Sequence, residues 1–268
     1  MISSAMNMPA TDNAPVLEVK GLSQRFGGLQ ALSEFNLTLM PREVVGLIGP
    51  NGAGKTTVFN IVSGFYQPTA GTIRINGQAT AGLKPHRVTA LGVARTFQNI
   101  RLWNDMTVLD NIRVAQHHRL GYGFFDSLLR TRRYQTREAE ITQEARHLLD
   151  VFGLSAFADE YPRNLPYGTQ RKLEIARALS THPTLLLLDE PAAGLNSVNI
   201  KELIGLIRWI HDTFPVTIWM IEHHMDVVME LCSRIKVIDF GQTLAEGSPE
   251  QIRTNPAVIS AYLGDDTL

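Results

Sequence analysis

The sequence predicts an α/β fold with a mostly parallel sheet covered by helices, a small antiparallel sheet beside it, and an inserted group of helices. Three observations support this prediction. Short apolar and β-branched runs alternate with helical patterns along most of the chain. The runs near residues 17, 35 and 72 do not alternate with helices in this way. The stretch from about residue 99 to residue 165 contains helical patterns but no convincing strand.

The parallel sheet is predicted from continuous apolar runs, because a strand covered by helices on both faces has no polar face. The clearest run is Val44–Ile48, which precedes a glycine-rich turn and a helical pattern. The predicted strands of this sheet are Val44–Ile48, Val93–Phe97, Thr184–Leu188, Val216–Ile221 and Ile235–Asp239. Antiparallel strands are predicted at Leu17–Lys20, Phe35–Leu39 and Thr72–Ile75.

Helices are predicted where apolar residues recur with helical spacing. In the sheet domain these are Lys55–Ser63, Lys172–Leu179, Ser197–His211 and Met225–Cys232. In the insert they are Thr107–Gln116 and Thr136–Phe152. Near the C-terminus they are Pro249–Thr254 and Pro256–Leu263, each begun by a proline that suits a first helical turn.

These patterns divide the chain into four predicted regions. Residues 1–14 are small and polar and are expected to form a flexible N-terminal tail. Residues 15–98 and 166–247 form the sheet domain, which includes the antiparallel sheet. Residues 99–165 form a helical subdomain, and residues 248–268 form a C-terminal helical tail.

Charge and composition disfavour several classes of protein. The 268 residues contain 25 Lys and Arg against 26 Asp and Glu, so a nucleic-acid partner is not expected. Cys232 is the only cysteine and cannot form an intramolecular disulfide. No run reaches the ~20 apolar residues that cross a bilayer, and residues 1–15 lack a signal-peptide pattern. The chain is expected to be soluble and to be held at a membrane only by partners.

Residues 49–56 match the phosphate-binding loop pattern of Gly, four residues and Gly-Lys-Thr. Glycines let backbone N–H groups approach phosphate oxygens, and the following helix directs its positive end at the same oxygens. Lys55 is expected to reach the β- and γ-phosphates, and the Thr56 hydroxyl to ligate Mg²⁺. A nucleoside triphosphate and Mg²⁺ are therefore the expected ligands. The loop residues expected to bind the nucleotide are Gly49, Pro50, Asn51, Gly52, Ala53, Gly54, Lys55, Thr56 and Thr57.

Two carboxylates, Asp189 and Glu190, follow the apolar run that ends at Leu188. A strand of a parallel sheet delivers its C-terminal residues to the crevice where ligands bind. Asp189 is therefore expected to hold Mg²⁺, directly or through water. Glu190 is expected to orient or deprotonate the attacking water.

The segment Leu-Pro-Tyr-Gly-Thr-Gln-Arg at residues 165–171 resembles the signature segment of ATP-binding-cassette (ABC) ATPases. Other segments resemble further elements of that family and occur in the same order. They are Phe26, Gln98, residues 193–196 and His223. The resemblance extends from about residue 17 to residue 263 and implies a RecA-like, ATP-hydrolysing P-loop core of the ABC type. The signature segment lies at the C-terminal end of the helical subdomain.

The resemblance also implies roles for individual side chains. Phe26 would stack on adenine, although without the family pattern a core position is the commoner role for such a residue. Gln98 and His223 would contact the γ-phosphate, and Gln98 would join Thr56 and Asp189 at Mg²⁺. Together with Glu190 and Lys55, Gln98 and His223 form the predicted catalytic set. The signature residues expected to contact ATP are Tyr167, Gly168, Thr169 and Gln170.

Several segments resemble the ATP-binding subunit of branched-chain amino acid importers. They are residues 25–28, 165–168, 193–196, 221–223 and 255–264. This resemblance implies a peripheral subunit on the cytoplasmic face of the inner membrane. It would pair with a second cassette, a related chain or a copy of itself, and dock on two transmembrane permease subunits. A periplasmic or extracellular solute-binding protein would act with them indirectly. An importer for another small polar solute is the alternative.

Three residues depart from the family pattern. Pro166 replaces the usual signature serine, Asn196 replaces an aspartate, and His224 stands where an aspartate often follows the histidine. The first two raise the alternative of a nucleotide-binding subunit with weakened hydrolysis. An ABC ATPase acting on nucleic acid or ribosomes is disfavoured, because about 65 residues between Gln98 and the signature are too few for a long coiled coil.

The segment from Arg119 to Arg137 contains five arginines around Tyr122, Phe124 and Phe125. Contact with anionic lipid or RNA is one interpretation of this pattern. A solvated helical hairpin is favoured, because the chain as a whole carries no basic excess.

Overall fold

We analysed a computed structural model that describes residues 14–119 and 121–263. The predicted N-terminal tail lies, except for Ala14, outside the described residues, as do the last five residues of the predicted C-terminal tail.

The described secondary structure follows the alternation that the sequence predicts. In chain order the elements to the end of the helical insert are β1 (Leu17–Phe26), β2 (Leu29–Leu39), β3 (Val44–Ile48), α1 (Lys55–Val62), β4 (Ala70–Ile75), β5 (Gln78–Ala79), α2 (Pro85–Ala90), β6 (Val93–Arg95), α3 (Val108–Ala115), α4 (Phe124–Leu128) and α5 (Arg132–Val151). After the insert they are α6 (Tyr167–Leu179), β7 (Leu185–Asp189), α7 (Ser197–Thr213), β8 (Thr217–Ile221), α8 (Met225–Leu231), β9 (Arg234–Asp239), β10 (Gln242–Gly247), α9 (Pro249–Arg253) and α10 (Pro256–Leu263).

The main sheet has the strand order β10-β9-β3-β8-β7-β6. Its neighbours run parallel except for β10, which pairs antiparallel with β9 at one edge. The predicted parallel sheet is therefore confirmed. The run predicted at Val93–Phe97 ends as a strand at Arg95, because Phe97 leaves the sheet and its carbonyl accepts a hydrogen bond from the Arg171 side chain on α6.

The second sheet has the order β2-β1-β4-β5 and is antiparallel, as predicted. Its strands are longer than predicted, since β1 intersperses the buried apolar residues Leu17, Val19 and Leu22 with polar residues and therefore shows no continuous apolar run. The pairing of β1 with β2 shifts register between Val19 and Leu22, around Gly21, whose φ is 58°. Such an irregularity interrupts the simple alternation on which the prediction of the strand depended.

The core lies on both faces of the main sheet. Along β3, Val44 and Ile48 pack on the face that carries the helical insert, whereas Val45 and Leu47 pack on the face that carries α1 and the antiparallel sheet. Strand β7 alternates in the same way. Both faces of these strands are buried, which explains their continuous apolar sequence.

The insert between β6 and α6 contains helices and no strand among its described residues, as predicted. Helices α3 and α5 pack together through Leu109, Ile112, Ala145 and Leu149. The short helix α4 was not predicted, and Phe124 and Phe125 on it are 76% and 75% exposed. The described part of the segment from Arg119 to Arg137 is helical and mostly exposed, as in the favoured solvated helical hairpin, but the side chains that α4 directs to solvent include large apolar ones.

Among the described residues, none of the helices combines the length and the apolar character that a membrane span requires.

Candidate functional site

The phosphate-binding loop connects β3 to α1 at the carboxyl end of the main sheet. Its glycines are required by its geometry. A Cβ at Gly49 would lie 2.0 Å from the Ile238 carbonyl oxygen, and one at Gly54 would lie 2.6 Å from that of Ala31. Gly52 and Gly54 have φ of 79° and 102°, a region that L side chains rarely adopt. The loop thus packs against β9 at Gly49 and against β2 at Gly54, with no room for a side chain at either position.

Lys55 begins α1 and folds back over the loop that precedes it. Its Nζ donates hydrogen bonds to the carbonyl oxygens of Gly49 and Pro50, at 2.6 and 2.8 Å, and the residue is 8% exposed. These contacts place the ammonium group inside the curve of the loop. Positive charge is therefore concentrated where the sequence predicts phosphate binding.

Glu190 follows β7 in an unusual backbone conformation. Its φ is 47°, which costs a non-glycine residue roughly 1–2 kcal/mol, and its N–H donates to the Ile221 carbonyl oxygen at 2.9 Å. That hydrogen bond ties the turn to the end of β8. The strained turn points the side chain toward two other residues of the predicted catalytic set.

Gln98 and His223 both meet the Glu190 carboxylate. Gln98 Nε2 donates to Glu190 Oε2 at 2.7 Å, and His223 Nδ1 lies 3.6 Å from the same oxygen. The structure therefore brings together three residues that are far apart in the sequence. A carboxylate flanked by an amide donor and an imidazole is suited to holding a water molecule and accepting a proton from it.

Asp189 contacts a residue that the sequence analysis missed. Arg95 Nη2 lies 2.7 Å from Asp189 Oδ2, and the two side chains are 5% and 6% exposed. Arg95 Nη1 also donates to Asn60 Oδ1 on α1 and to Ser63 Oγ directly after that helix. Burial lowers the pKa of Arg95 from its ordinary value, while the hydrogen bond and charge of Asp189 raise it. Arginine remains charged under these conditions, so this is a buried ion pair.

The predicted cation ligands fit a magnesium ion in chemical type. The Thr56 hydroxyl, the Gln98 amide oxygen and the Asp189 carboxylate are the hard oxygen donors that Mg²⁺ prefers. Arg95 donates to one oxygen of Asp189 and also to Asn60, which lies one turn after Thr56 on α1. Arg95 thus links two of the elements that carry the predicted ligands. Gln98 donates its amide nitrogen to Glu190, so its amide oxygen is the atom that would coordinate a cation.

The signature residues lie at the start of α6. Pro166 occupies the position before the helix and provides no side-chain cap, and Tyr167 is 43% exposed. The Tyr167 hydroxyl donates to the Ala193 carbonyl oxygen at 3.1 Å. The structure thus places the signature beside the loop that follows Glu190. In that loop Asn196 caps α7, because its Oδ1 accepts from the Asn199 N–H at 2.9 Å.

Helix α6 also holds the loop that carries Gln98. Arg171 and Glu174 form an ion pair of 2.7 Å and are 2% and 1% exposed at their side chains. Arg171 donates to the carbonyl oxygens of Phe97 and Gln98, at 2.9 Å each. Glu174 Oε1 accepts from the N–H groups of Phe97 and Arg101, at 3.4 and 3.2 Å. We refer to Arg171 and Glu174 as the α6 clamp.

Glu222 is a second site residue that the sequence analysis missed. It is fully buried after β8, and its two oxygens accept three backbone N–H groups. Oε1 accepts from Ala192 at 2.7 Å, and Oε2 accepts from His223 and His224 at 3.0 and 3.1 Å. Glu222 therefore fixes the backbone that carries His223 to the loop that carries Ala192. An acidic residue directly after an apolar strand is the only sequence signal for this role.

Phe26 lies at the end of β1 and is 43% exposed, so the alternative that it is a core residue is wrong. Its ring packs edge-to-face against Tyr66, with 5.5 Å between centroids. An exposed aromatic face supported from one side is suited to stacking on a flat ring.

Two family models match the sequence. The model described as ABC transporter matches residues 32–193, and the model described as branched-chain amino acid ATP-binding cassette transporter matches residues 242–267. Both matches are to families that the sequence motifs also resemble.

Curated relatives and solved structures are similar over nearly the whole chain. The chain is 50% identical to "High-affinity branched-chain amino acid transport ATP-binding protein LivG" of Escherichia coli, over 94% of this chain and 98% of that protein. It is 49% identical to the protein of the same description, BraF, of Pseudomonas aeruginosa, with the same coverage. The crystal structure of the ADP conformation of MJ1267, an ATP-binding cassette of an ABC transporter, superposes with a TM-score of 0.81 at 27% identity, covering 94% of this chain and 99% of that chain.

Proposed function

Because the chain belongs to the ABC transporter family of ATP-binding proteins, and is an ATPase of that family, we propose that it powers the import of branched-chain or chemically similar amino acids. The observation that carries the solute class is the 50% identity to LivG over 94% of the chain. The match of residues 242–267 to a model specific to branched-chain amino acid cassettes supports it independently of the catalytic motifs. Import of another small polar solute is the alternative.

The proposed chemistry is hydrolysis of ATP by water. Residues 49–57 bind the phosphates through backbone N–H groups, and Lys55 neutralises the β- and γ-phosphates. Mg²⁺, when held by Thr56, Gln98 and Asp189, supplies charge stabilisation at the phosphate oxygens. Glu190 orients the attacking water and accepts its proton, while His223 contacts the γ-phosphate. Phe26 stacks on the adenine ring.

We infer that the chain acts in pairs and with membrane subunits. The signature residues Tyr167, Gly168, Thr169 and Gln170 would bind the nucleotide held by a second cassette, either a related chain or a copy of this one. Two transmembrane permease subunits would dock near residues 98–106, where Trp103 and Met106 are 43% and 39% exposed. This arrangement places the chain at the cytoplasmic face of the inner membrane, with a solute-binding protein on the other side.

The proposed function is tested by reconstituting the complex in proteoliposomes with ATP enclosed. We expect uptake of radiolabelled leucine in the presence of its solute-binding protein, and loss of at least 95% of it with Lys55→Ala, because the phosphates lose their buried cation. Lys201→Gln, a charge loss on the exposed face of α7, is the matched control and should transport normally. Uptake of a different solute class with no uptake of leucine, isoleucine or valine would overturn the assignment.

A further expected result concerns Glu222. Glu222→Gln replaces one accepting oxygen by an N–H₂ group that faces backbone donors, so about 1–3 kcal/mol of stability should be lost. Because His223 would then be displaced, we expect kcat for ATP hydrolysis to fall about tenfold, while the KM for ATP changes less than threefold. The measurement is steady-state hydrolysis at matched folded fractions.

The control for Glu222 is Glu246→Gln, which removes a carboxylate paired with Arg234 and Lys236 at the edge of the sheet. It should lower stability without lowering kcat. Equal losses of kcat in the two variants would mean that Glu222 is only structural.

Pro166 and Asn196 motivate the alternative of a nucleotide-binding subunit with weakened hydrolysis. Asn196 has a structural role as the cap of α7, a position that asparagine fills as well as aspartate. Pro166 contributes no hydroxyl to a nucleotide. Single-turnover hydrolysis by the assembled complex separates the two functions, because a weakened subunit would bind ATP without converting it within the transport cycle.

A further inference from the structure

The helical insert exposes an apolar surface that the proposed function does not use. Four large side chains on and beside α4 are 66–76% exposed: Phe124, Phe125, Leu128 and Leu129. We refer to these four residues as the α4 patch. Their positions, i, i+1, i+4 and i+5, place them on one face of a helical segment. None of the residues of α4 is buried, so the apolar face of this amphipathic helix points to solvent.

Hydrogen bonds to the residues at both ends of α4 hold the short helix in place. Asp126 accepts from the Gly123 N–H at 3.2 Å and from the Thr131 hydroxyl at 2.9 Å. The hydrogen bond from Gly123, and to a smaller extent that from Thr131, lowers the pKa of Asp126, so its carboxylate is ionised at neutral pH. Tyr122 donates to Glu138 on α5 at 2.6 Å and packs edge-to-face on Tyr134. Asp126 therefore ties α4 to the residues on either side of it, and the residue before Gly123 ties the segment to α5.

Positive charge borders the α4 patch. Residues 121–137 contain four arginines and one aspartate, a net charge of +3, although the whole chain has a net charge of −1. Arg130, Arg132 and Arg133 directly follow Leu129 and are exposed. The basic excess that the whole sequence lacks is thus concentrated beside the exposed apolar face.

We propose that the α4 patch inserts into the surface of an anionic lipid bilayer, with Arg130, Arg132 and Arg133 contacting lipid phosphates. Helices that lie in a membrane interface combine Phe and Leu on one face with Lys and Arg beside it. Each basic residue near an anionic bilayer attracts the bilayer, and removing one such residue lowers the binding affinity about fivefold. Residues 121–137 carry a net charge of +3, and such a basic excess is complementary to the phosphates of anionic headgroups. The proposal adds a lipid contact to a chain whose proposed attachment to the membrane is through permease subunits.

The test is flotation of the full-length chain with vesicles of phosphatidylcholine that contain 30% phosphatidylglycerol, compared with pure phosphatidylcholine. We expect binding to the anionic vesicles and at least tenfold weaker binding to the neutral ones. Phe124→Ser with Phe125→Ser should weaken binding to anionic vesicles at least tenfold. Arg130→Gln with Arg132→Gln and Arg133→Gln should weaken it about a hundredfold.

The matched control removes the same charge from other surfaces, with Lys84→Gln, Lys201→Gln and Arg253→Gln, all exposed positions. It should bind within threefold of the unchanged chain. ATP hydrolysis in solution, measured on every variant, should be unchanged, so that failure of the lipid proposal is distinct from failure of the ATPase assignment. The proposal is overturned if the unchanged chain does not float, if it binds both vesicle types equally, or if the control loses as much binding as the arginine variant. If the α4 variants instead lose only capture by permease subunits, the patch binds protein, and the lipid proposal is wrong.

Discussion

Glu190→Gln is expected to lower kcat for ATP hydrolysis at least a hundredfold and to leave ATP affinity within about threefold of its original value. A general base contributes about 10²- to 10⁴-fold to a rate, and glutamine cannot accept a proton from water. The substitution keeps the size of the side chain. It also keeps an oxygen that can accept the 2.7 Å hydrogen bond from Gln98. The backbone turn with its φ of 47° should persist, because glutamine and glutamate differ little in backbone preference.

The measurements are steady-state hydrolysis of the assembled complex and nucleotide binding followed by fluorescence. We also expect Glu190→Gln to trap ATP-dependent dimers, since closure would no longer be followed by hydrolysis. Glu202→Gln, an exposed carboxylate on α7 that lies 3.6 Å from Lys172, is the matched control and should hydrolyse ATP normally. Hydrolysis by Glu190→Gln at the original rate would show that another group activates the water.

Arg95→Met is expected to reduce the free energy of unfolding by about 3–5 kcal/mol. The substitution would leave Asp189 as an uncompensated buried charge, since both side chains of the pair are at most 6% exposed. It would also remove the donors to Asn60 and Ser63. For a chain of this size the loss corresponds to a fall in the melting temperature on the order of 10 °C. Equilibrium unfolding in urea, without nucleotide, measures it.

The double variant Arg95→Met with Asp189→Leu distinguishes a buried ion pair from simple loss of packing. Replacing both partners by apolar groups costs much less than breaking the pair, so the double variant should be more stable than Arg95→Met alone. It should also have lost magnesium-dependent hydrolysis, because Asp189 is an expected cation ligand. If Arg95→Met unfolds at the same urea concentration as the unchanged chain, the pair contributes nothing to stability.

The parallel sheet could be predicted because each of its central strands is buried on both faces. Val44–Ile48 was predicted with its observed bounds, since all five positions are buried. Strand β10 was missed, because its residues are half-buried or exposed and its sequence carries no apolar run. The short helix α4 was missed for a different reason. It has only five residues, so its apolar residues do not extend over enough turns to establish a helical period.

The site residues that belong to short sequence motifs could be predicted. The loop around Lys55 and the acidic pair at Glu190 have local signatures, and the family pattern added Gln98 and His223. Arg95 and Glu222 could not be predicted in the same way. Arg95 lies 94 residues from Asp189 and Glu222 lies 30 residues from Ala192, and an arginine in a strand or a glutamate after one is too weak a signal to identify these contacts. Only the register of the strands brings these groups together.

The α6 clamp has a mechanical consequence. The loop that carries Gln98 has both its carbonyl oxygens and its N–H groups bonded to α6, so it can move little relative to that helix. Any displacement that a bound phosphate imposes on the backbone at Gln98 must therefore be transferred to α6 rather than absorbed by bending of the loop. The stiffness of the contact between this loop and α6 therefore sets how much of a displacement at Gln98 is passed on along α6.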